Sequence, residues 1–161
     1  MFGLFKKKKK AFSFEGLTQV QADMHSHLLP GIDDGSQNME ESIQMIQGFV
    51  DKGYKKLITT PHVMADFYRN TPEIILGKLE EVRAELAKRQ IDIEIDAAAE
   101  YYLDEGLIYK LENQEKILTF GDNYVLFETS YMSASQQLDT AIFLMQSRGY
   151  KPVLAHPERY T

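Results

Sequence analysis

The sequence predicts an α/β fold with parallel strands, and three observations carry that expectation. Short β-type runs alternate with amphipathic helical stretches along the whole chain. Three helical stretches open on capping residues and two of them close on glycine, so the punctuation matches the pattern. The 161 residues, 43% apolar and 26% charged, suit one ordinary globular domain, or a large part of a bigger one, able to bury a core without disulfides.

The first strand fits Gln19 to Met24 and stops at the turn-rich Leu29-Pro30-Gly31-Ile32-Asp33-Asp34-Gly35. A helix then fits Met39 to Lys52. Asn38 and Glu41 have capping-box spacing, Ile43, Ile46 and Val50 share a face, and Gly53 ends it. Lys56 to Thr60 reads as the second strand, halted by Pro61. Thr71 caps the next helix with Pro72 at its first position, and Ile75, Leu79, Val82 and Leu86 line one side up to about Gln90. Ile91 to Ala98 is the third strand, its alternation of acidic and apolar residues indicating an edge or half-buried place. A short helix covers Asp104 to Leu111, and the β-rich Tyr124 to Phe127 makes the fourth strand. Ser133 and Gln136 again have capping-box spacing, opening a helix through about Ser147 that Gly149 stops. Pro152 to Ala155 is the fifth strand. No low-complexity linker or sequence repeat interrupts this order.

Charge is unevenly distributed. Lys and Arg total 18 and Asp and Glu 24, a net −6. Five of the lysines are Lys6 to Lys10, so the rest of the chain has 13 basic against 24 acidic residues, −11. An acidic body cannot replace the counterions of a nucleic acid, which argues against a nucleic-acid partner and suits a collector of cations. There is no cysteine, which excludes disulfides, a thiolate zinc site and a cysteine nucleophile. In Met1 to Lys10 the apolar residues precede the charges, the reverse of a secretory signal. Residues 1–18 are read as a solvated basic tail, ahead of a weak anchor for anionic lipid, with one domain over residues 19–161. No run approaches the roughly 20 apolar residues of a membrane-spanning helix.

The chemistry is carried by where the histidines fall. The chain has four. His25 and His27 follow the first expected strand, His62 the second and His156 the fifth, while the third and fourth end at Glu100 and Glu128. Ligands of parallel α/β folds gather at the carboxyl ends of the strands, so this pattern predicts a multi-metal site. Two residues apart in extended backbone, His25 and His27 point the same way. Mixed imidazole and carboxylate ligation favours Mn, Fe, Co or Zn over Ca or Mg. Any one of these residues alone is a weak signal; together they are a strong one. Asp33 and Asp34 either make an Asp-rich turn or supply a ligand, Asp34 being preferred. Arg159 either grips phosphate oxygens beside the metals or pairs with a surface acid such as Glu158. Arg69 is a second possible anion contact, with a surface role favoured.

These residues, in this order, resemble the polymerase and histidinol phosphatase (PHP) family, and within it the bacterial manganese-dependent tyrosine-protein phosphatases of capsular and exopolysaccharide operons. The matching segments are Asp23-Met24-His25-Ser26-His27 through Asp33-Asp34-Gly35-Ser36, Thr60-Pro61-His62 and Ala99-Glu100-Tyr101-Tyr102. Leu126-Phe127-Glu128 and Leu154-Ala155-His156-Pro157-Glu158-Arg159 complete them. The resemblance implies a distorted (β/α)₇ barrel, here incomplete with about five β/α units. It implies metal ligation by His25, His27, Asp34, His62, Glu100, Glu128 and His156, phosphate binding by Arg159, and up to three divalent ions. These are expected to be Mn²⁺, with Fe, Co or Zn as alternatives.

It further implies attack by a metal-activated water on phosphotyrosine of a tyrosine autokinase in polysaccharide export. The location implied is cytoplasmic, at most peripheral to the inner face of the membrane. The family's later Asp-x-His motif does not occur here, so the expectation is a domain truncated at its carboxyl side. One metal would then be weakly held, and an unclosed sheet edge would favour a homo-oligomer. The competing readings are a small-molecule phosphatase of the histidinol-phosphate type and a non-catalytic module that binds metal or the kinase.

Overall fold

The computed structural model of the chain describes residues 21–132 and 135–160. The expected basic tail lies outside the described residues, as do Gln19 and Val20 of the first expected strand and Ser133 of the expected capping box. Among the described residues the elements run β1 Ala22–Asp23, α1 Met39–Asp51, β2 Lys56–Thr59, β3 His62–Val63, α2 Pro72–Lys88, β4 Glu94–Ala97 and β5 Glu100–Tyr102. They continue with α3 Glu105–Glu112, β6 Tyr124–Glu128, α4 Leu138–Ser147, β7 Lys151–Leu154 and a 3₁₀ turn at Pro157–Arg159. Strand order is β1-β2-β4 in one sheet and β3-β5-β6-β7 in the other, and every ladder is parallel. The α/β class with parallel pairing is therefore borne out.

Two expected strands are shorter than read, and each is followed by a second short strand. The run Lys56 to Thr60 stops at Thr59, because Pro61 has no N–H to give a ladder, and the chain resumes as β3. Ile91 to Ala98 begins as strand only at Glu94, stops at Ala97 and resumes as β5. The two crossings run side by side: Ala98 N–H donates to Thr59 O at 2.9 Å and Glu100 N–H to Pro61 O at 3.0 Å. His62 and Glu100 thus follow the carboxyl ends of β2 and β4, as expected, and also open β3 and β5.

Helix starts follow the side-chain chemistry in three of four cases. The Asn38 side chain accepts from Glu41 N–H at 3.0 Å, while Glu41 Oε2 accepts from Gln37 N–H at 2.6 Å. Thr71 caps α2, and Asp104, expected inside its helix, is the cap of α3 with Oδ1 accepting from Leu107 N–H at 2.9 Å. α4 opens only at Leu138, behind Gln137 and with no side-chain cap, so the expected start at Ser133–Gln136 is too early. Arg148 closes α3 from outside: its guanidinium donates to the carbonyls of Lys110 at 3.2 Å, Leu111 at 3.3 Å and Glu115 at 3.0 Å.

The larger of two hydrophobic clusters lies between helices and sheets. Ile43 and Ile46 of α1, Ile75, Leu79, Val82 and Leu86 of α2, Leu107 and Leu111 of α3 and Met145 of α4 are buried with Leu57, Ile95, Tyr101, Val125 and Phe127 of the strands. Each fully buried aliphatic side chain contributes about 2 kcal/mol, which fixes the helices and leaves the strand junctions to hold the polar residues.

Candidate metal centre

The loop after β1 carries His25 and His27 and is pinned by two buried threonines. Thr60 N–H donates to Ser26 O at 2.7 Å, Thr59 Oγ1 donates to Ser26 O at 2.9 Å, and Leu28 N–H donates to Thr59 Oγ1 at 2.9 Å. His25 Nδ1 meets Thr60 Oγ1 at 2.8 Å, and His27 Nδ1 meets Asp33 Oδ2 at 2.6 Å. Both rings therefore turn their Nε2 atoms toward β5.

Glu100 waits there, its side chain 1% exposed. Oε1 lies 3.0 Å from His156 Nε2 and 3.5 Å from His25 Nε2; Oε2 lies 3.2 Å from His62 Nδ1 and 3.3 Å from His27 Nε2. All four histidines converge on one buried carboxylate. Glu128, at the end of β6, places Oε1 3.1 Å from His62 Nδ1 and Oε2 3.3 Å from His156 Nε2. Asp34 closes the other side, Oδ1 3.5 Å from His62 Nε2. The structure thus brings together every one of the seven expected ligands.

Three groups bring their ligand atoms within 4.8 Å of one another: His25, His27 and Glu100; His27, Asp34 and His62; His62, Glu100 and Glu128. The donors fit divalent cations. His62 Nδ1 is buried, and close to two carboxylate oxygens, yet makes no hydrogen bond; His156 Nδ1 is likewise buried without a partner among the described residues. Imidazole nitrogens and carboxylate oxygens packed this closely, with a buried ring nitrogen of His62 left unpartnered among them, suit a shared transition-metal cation.

Electrostatics of the metal-free cluster follow from the same contacts. Burial pushes the His27 ring down, but its hydrogen bonds to Asp33 and Glu100 outweigh this and hold it up at about 10. For His62, burial is again overcome, here by the Glu128 and Glu100 carboxylates, and the ring is raised. Burial wins at His25 and lowers it, with Glu100 only partly compensating. Burial would raise Glu100 and Asp33, yet the histidine partners hold both carboxyls below their ordinary range, so both remain ionised.

Supporting residues were less visible in the sequence. Asp33, next to the expected ligand Asp34, is buried against His27. The turn pattern Asp33-x-Gly35, in which Oδ1 accepts from Gly35 N–H at 3.0 Å, was its sequence signal. Tyr68 stacks on His62 with centroids 5.5 Å apart, and Tyr160 on His156 at 6.1 Å. The Asn70 amide donates to His62 O at 2.8 Å and Ile32 O at 2.9 Å. His156 itself stands in the left-handed region, φ 31°, immediately before Pro157, a strained conformation for this residue.

The two arginines are peripheral. Arg159 sits on the 3₁₀ turn directly after His156, exposed, with no side-chain hydrogen bond or ion pair among the described residues. Arg69 Nε donates to Ala65 O at 2.8 Å and lines a cavity of about 510 Å³ with Val63, Tyr101, Leu107 and Tyr109. None of the seven clustered residues lines that cavity, so the structure does not bring Arg69 into the centre.

Comparison with known proteins points the same way. The model of a family described as capsular polysaccharide synthesis, CpsB/CapC, matches residues 21–161. The chain is 28% identical over 137 residues to the tyrosine-protein phosphatase YwqE of Bacillus subtilis (strain 168), covering 85% of this chain and 54% of that protein. It is 33% identical over 140 residues to the tyrosine-protein phosphatase CpsB of Streptococcus pneumoniae, covering 86% and 57%. A chain from crystal structures of YwqE and CpsB, described as unique metal-dependent tyrosine phosphatases, is similar with a TM-score of 0.77 at 29% identity. That match covers 86% of this chain and 56% of the other. The chain thus spans somewhat more than half the length of the relatives it matches.

Proposed function

Because the chain belongs to the CpsB/CapC capsular polysaccharide synthesis family, we propose that it is the metal-binding part of a protein-tyrosine phosphatase. The substrate is phosphotyrosine on a tyrosine kinase of polysaccharide export. The observation that carries this reading is Glu100, a carboxylate 1% exposed and approached by four imidazoles.

His25, His27, Asp34, His62, Glu100, Glu128 and His156 would hold divalent ions, Mn²⁺ first, with Fe, Co or Zn suited to the same donors. Such ions, when bound, supply an activated water and neutralise phosphoryl charge. The chain's own part is to place and orient. Glu100 and Glu128 keep the imidazoles converged, and Asp34, 64% exposed, stands at the open side where a phosphoester arrives. Arg159 follows His156 and is free to clamp phosphate oxygens with its planar guanidinium. The chain has no cysteine, so no thiolate attack competes with this scheme.

The parallel sheets correspond, on this reading, to about five β/α units of a (β/α)₇ barrel, preceded by a basic tail over 1–18. Among the described residues no helix is long and apolar enough to cross a membrane. We place the protein in the cytoplasm, at most peripheral to the membrane through that tail.

The test is hydrolysis of a phosphotyrosine peptide by this chain with added Mn²⁺, against His62→Ala and against histidinol phosphate as competing substrate. Mn²⁺-dependent release of phosphate from the peptide, lost in His62→Ala, supports the reading. A preference for histidinol phosphate, or no turnover by a folded and metal-loaded chain, replaces it with a small-molecule phosphatase or a binding module.

A further inference from the structure

We propose that Asp33 is a positioning residue of the centre, holding His27 by Nδ1 so that Nε2 is the nitrogen offered to a cation; its role toward the metal rests on the reading above. The Asp33 side chain is 0% exposed and surrounded by donors. Its Oδ2 accepts from His27 Nδ1–H at 2.6 Å and from the His62 backbone N–H at 3.0 Å, and its Oδ1 accepts from Gly35 N–H at 3.0 Å. Three donors occupy the carboxylate, which leaves it poorly placed to be a ligand itself. Asp34 is its opposite, 64% exposed and facing His62 Nε2.

An imidazole gives a cation only the lone pair of an unprotonated nitrogen. A carboxylate at Nδ1 keeps the proton there and leaves Nε2 as the donor, and Nε2 of His27 faces Glu100 at 3.3 Å. The same carboxylate oxygen ties down the first amide of β3, so one buried group sets both the His27 ring and the start of the strand that bears His62. Gly35 completes the clasp: a Cβ there would stand 2.3 Å from His27 O and 2.4 Å from His27 Cβ, so only glycine lets the turn close on the histidine. His25 lacks such a partner, its Nδ1 meeting the neutral Thr60 hydroxyl.

The experiment is long-range ¹H–¹⁵N NMR of the histidines in the intact chain, metal-free and zinc-loaded, together with calorimetric Zn²⁺ affinity for wild type, Asp33→Asn and Thr60→Val. In the wild-type chain His27 Nδ1 is expected to carry a proton protected from exchange in both states. Asp33→Asn, close in size but without the charge and with one acceptor oxygen fewer, is expected to lose that protection. Its Zn²⁺ affinity should fall by about 10- to 100-fold at unchanged far-UV circular dichroism. Thr60→Val, which removes the neutral partner of His25, should leave the His27 signal in place. A wild-type spectrum in which His27 Nδ1 carries no proton in the zinc-loaded chain overturns the proposal without any variant. Zinc affinity in Asp33→Asn within twofold of wild type overturns it alone; a wild-type chain that binds no zinc removes the metal reading along with it.

Discussion

His62 and Glu100 are register partners across the parallel β3–β5 pair, and Nδ1 of the first lies 3.2 Å from Oε2 of the second. Register partners in a parallel ladder share a face, so the strand pairing itself aims both side chains into the centre. Replacing Glu100 by Gln keeps the shape and removes the charge that four rings converge upon. Divalent-cation binding should be lost, and the metal-free chain should lose about 3 kcal/mol, as when one member of a buried pair is removed. Urea unfolding in EDTA and zinc calorimetry measure the two effects, and unchanged affinity would contradict the central place given to Glu100.

Gly35→Ala tests the close approach of the turn to His27. A methyl group 2.3 Å from a backbone oxygen has no rotamer by which to escape, so the turn must move. The expected cost is about 2 kcal/mol or more of stability, with weakened cation binding. Gly48→Ala is the control, because its added methyl meets nothing within 4 Å.

The metal-free chain should weaken in alkali. A histidine raised to about 10, as His27 is by Asp33 and Glu100 against the effect of burial, stabilises the fold fully below its unfolded value of about 6.5. That contribution fades as pH climbs through about 10. His62 acts with the same sign, whereas His25, lowered by burial, favours the fold above 6.5 and less as pH falls. Melting temperature in EDTA should therefore decline from neutral pH toward 10, and less steeply in Asp33→Asn. A cation must displace the His27 proton, so calorimetry in buffers of different protonation heat should register proton release on binding.

Arg159→Ala should lower kcat/KM on a phosphotyrosine peptide about 100-fold, the scale for losing a positioned anion donor, and leave cation affinity unchanged. Arg69→Ala, outside the cluster, should leave turnover within a few-fold of wild type. Equal losses in both would remove the special role of Arg159.

Arg148→Ala probes stability away from the centre. Three carbonyls at the end of α3 lose their donor, which should cost about 1–2 kcal/mol in urea unfolding without altering cation affinity.

Much of this was legible in the sequence because its signals were local. Asn38 and Thr71 announced two helices, since a cap is a contact over three residues. The four histidines and two glutamates announced the cluster because strand ends converge in any parallel α/β fold. The short strands β3 and β5 that follow Lys56–Thr60 and Ile91–Ala98 were not legible. They depend on which backbone lies alongside, Ala98 beside Thr59 and Glu100 beside Pro61, a relation between distant segments. Asp33 was passed over for Asp34 because adjacent aspartates in a turn differ only in the direction each faces, and that is set by His27 and the amide of His62. The late start of α4 left no side-chain signal, for Gln137 caps nothing.

The seven candidate ligands are gathered from positions 25 to 156 along a chain whose ladders are all parallel. No stretch of neighbours in sequence holds a site alone, and such non-local pairings form slowly. During synthesis all seven come together only once His156 has left the ribosome and β7 has docked on β6. A cation held by all seven therefore reports that the segments from β1 to β7 have docked. Where such ions are scarce, unloaded copies lack the stabilisation that ligand binding gives, and they are the ones a protease would reach first.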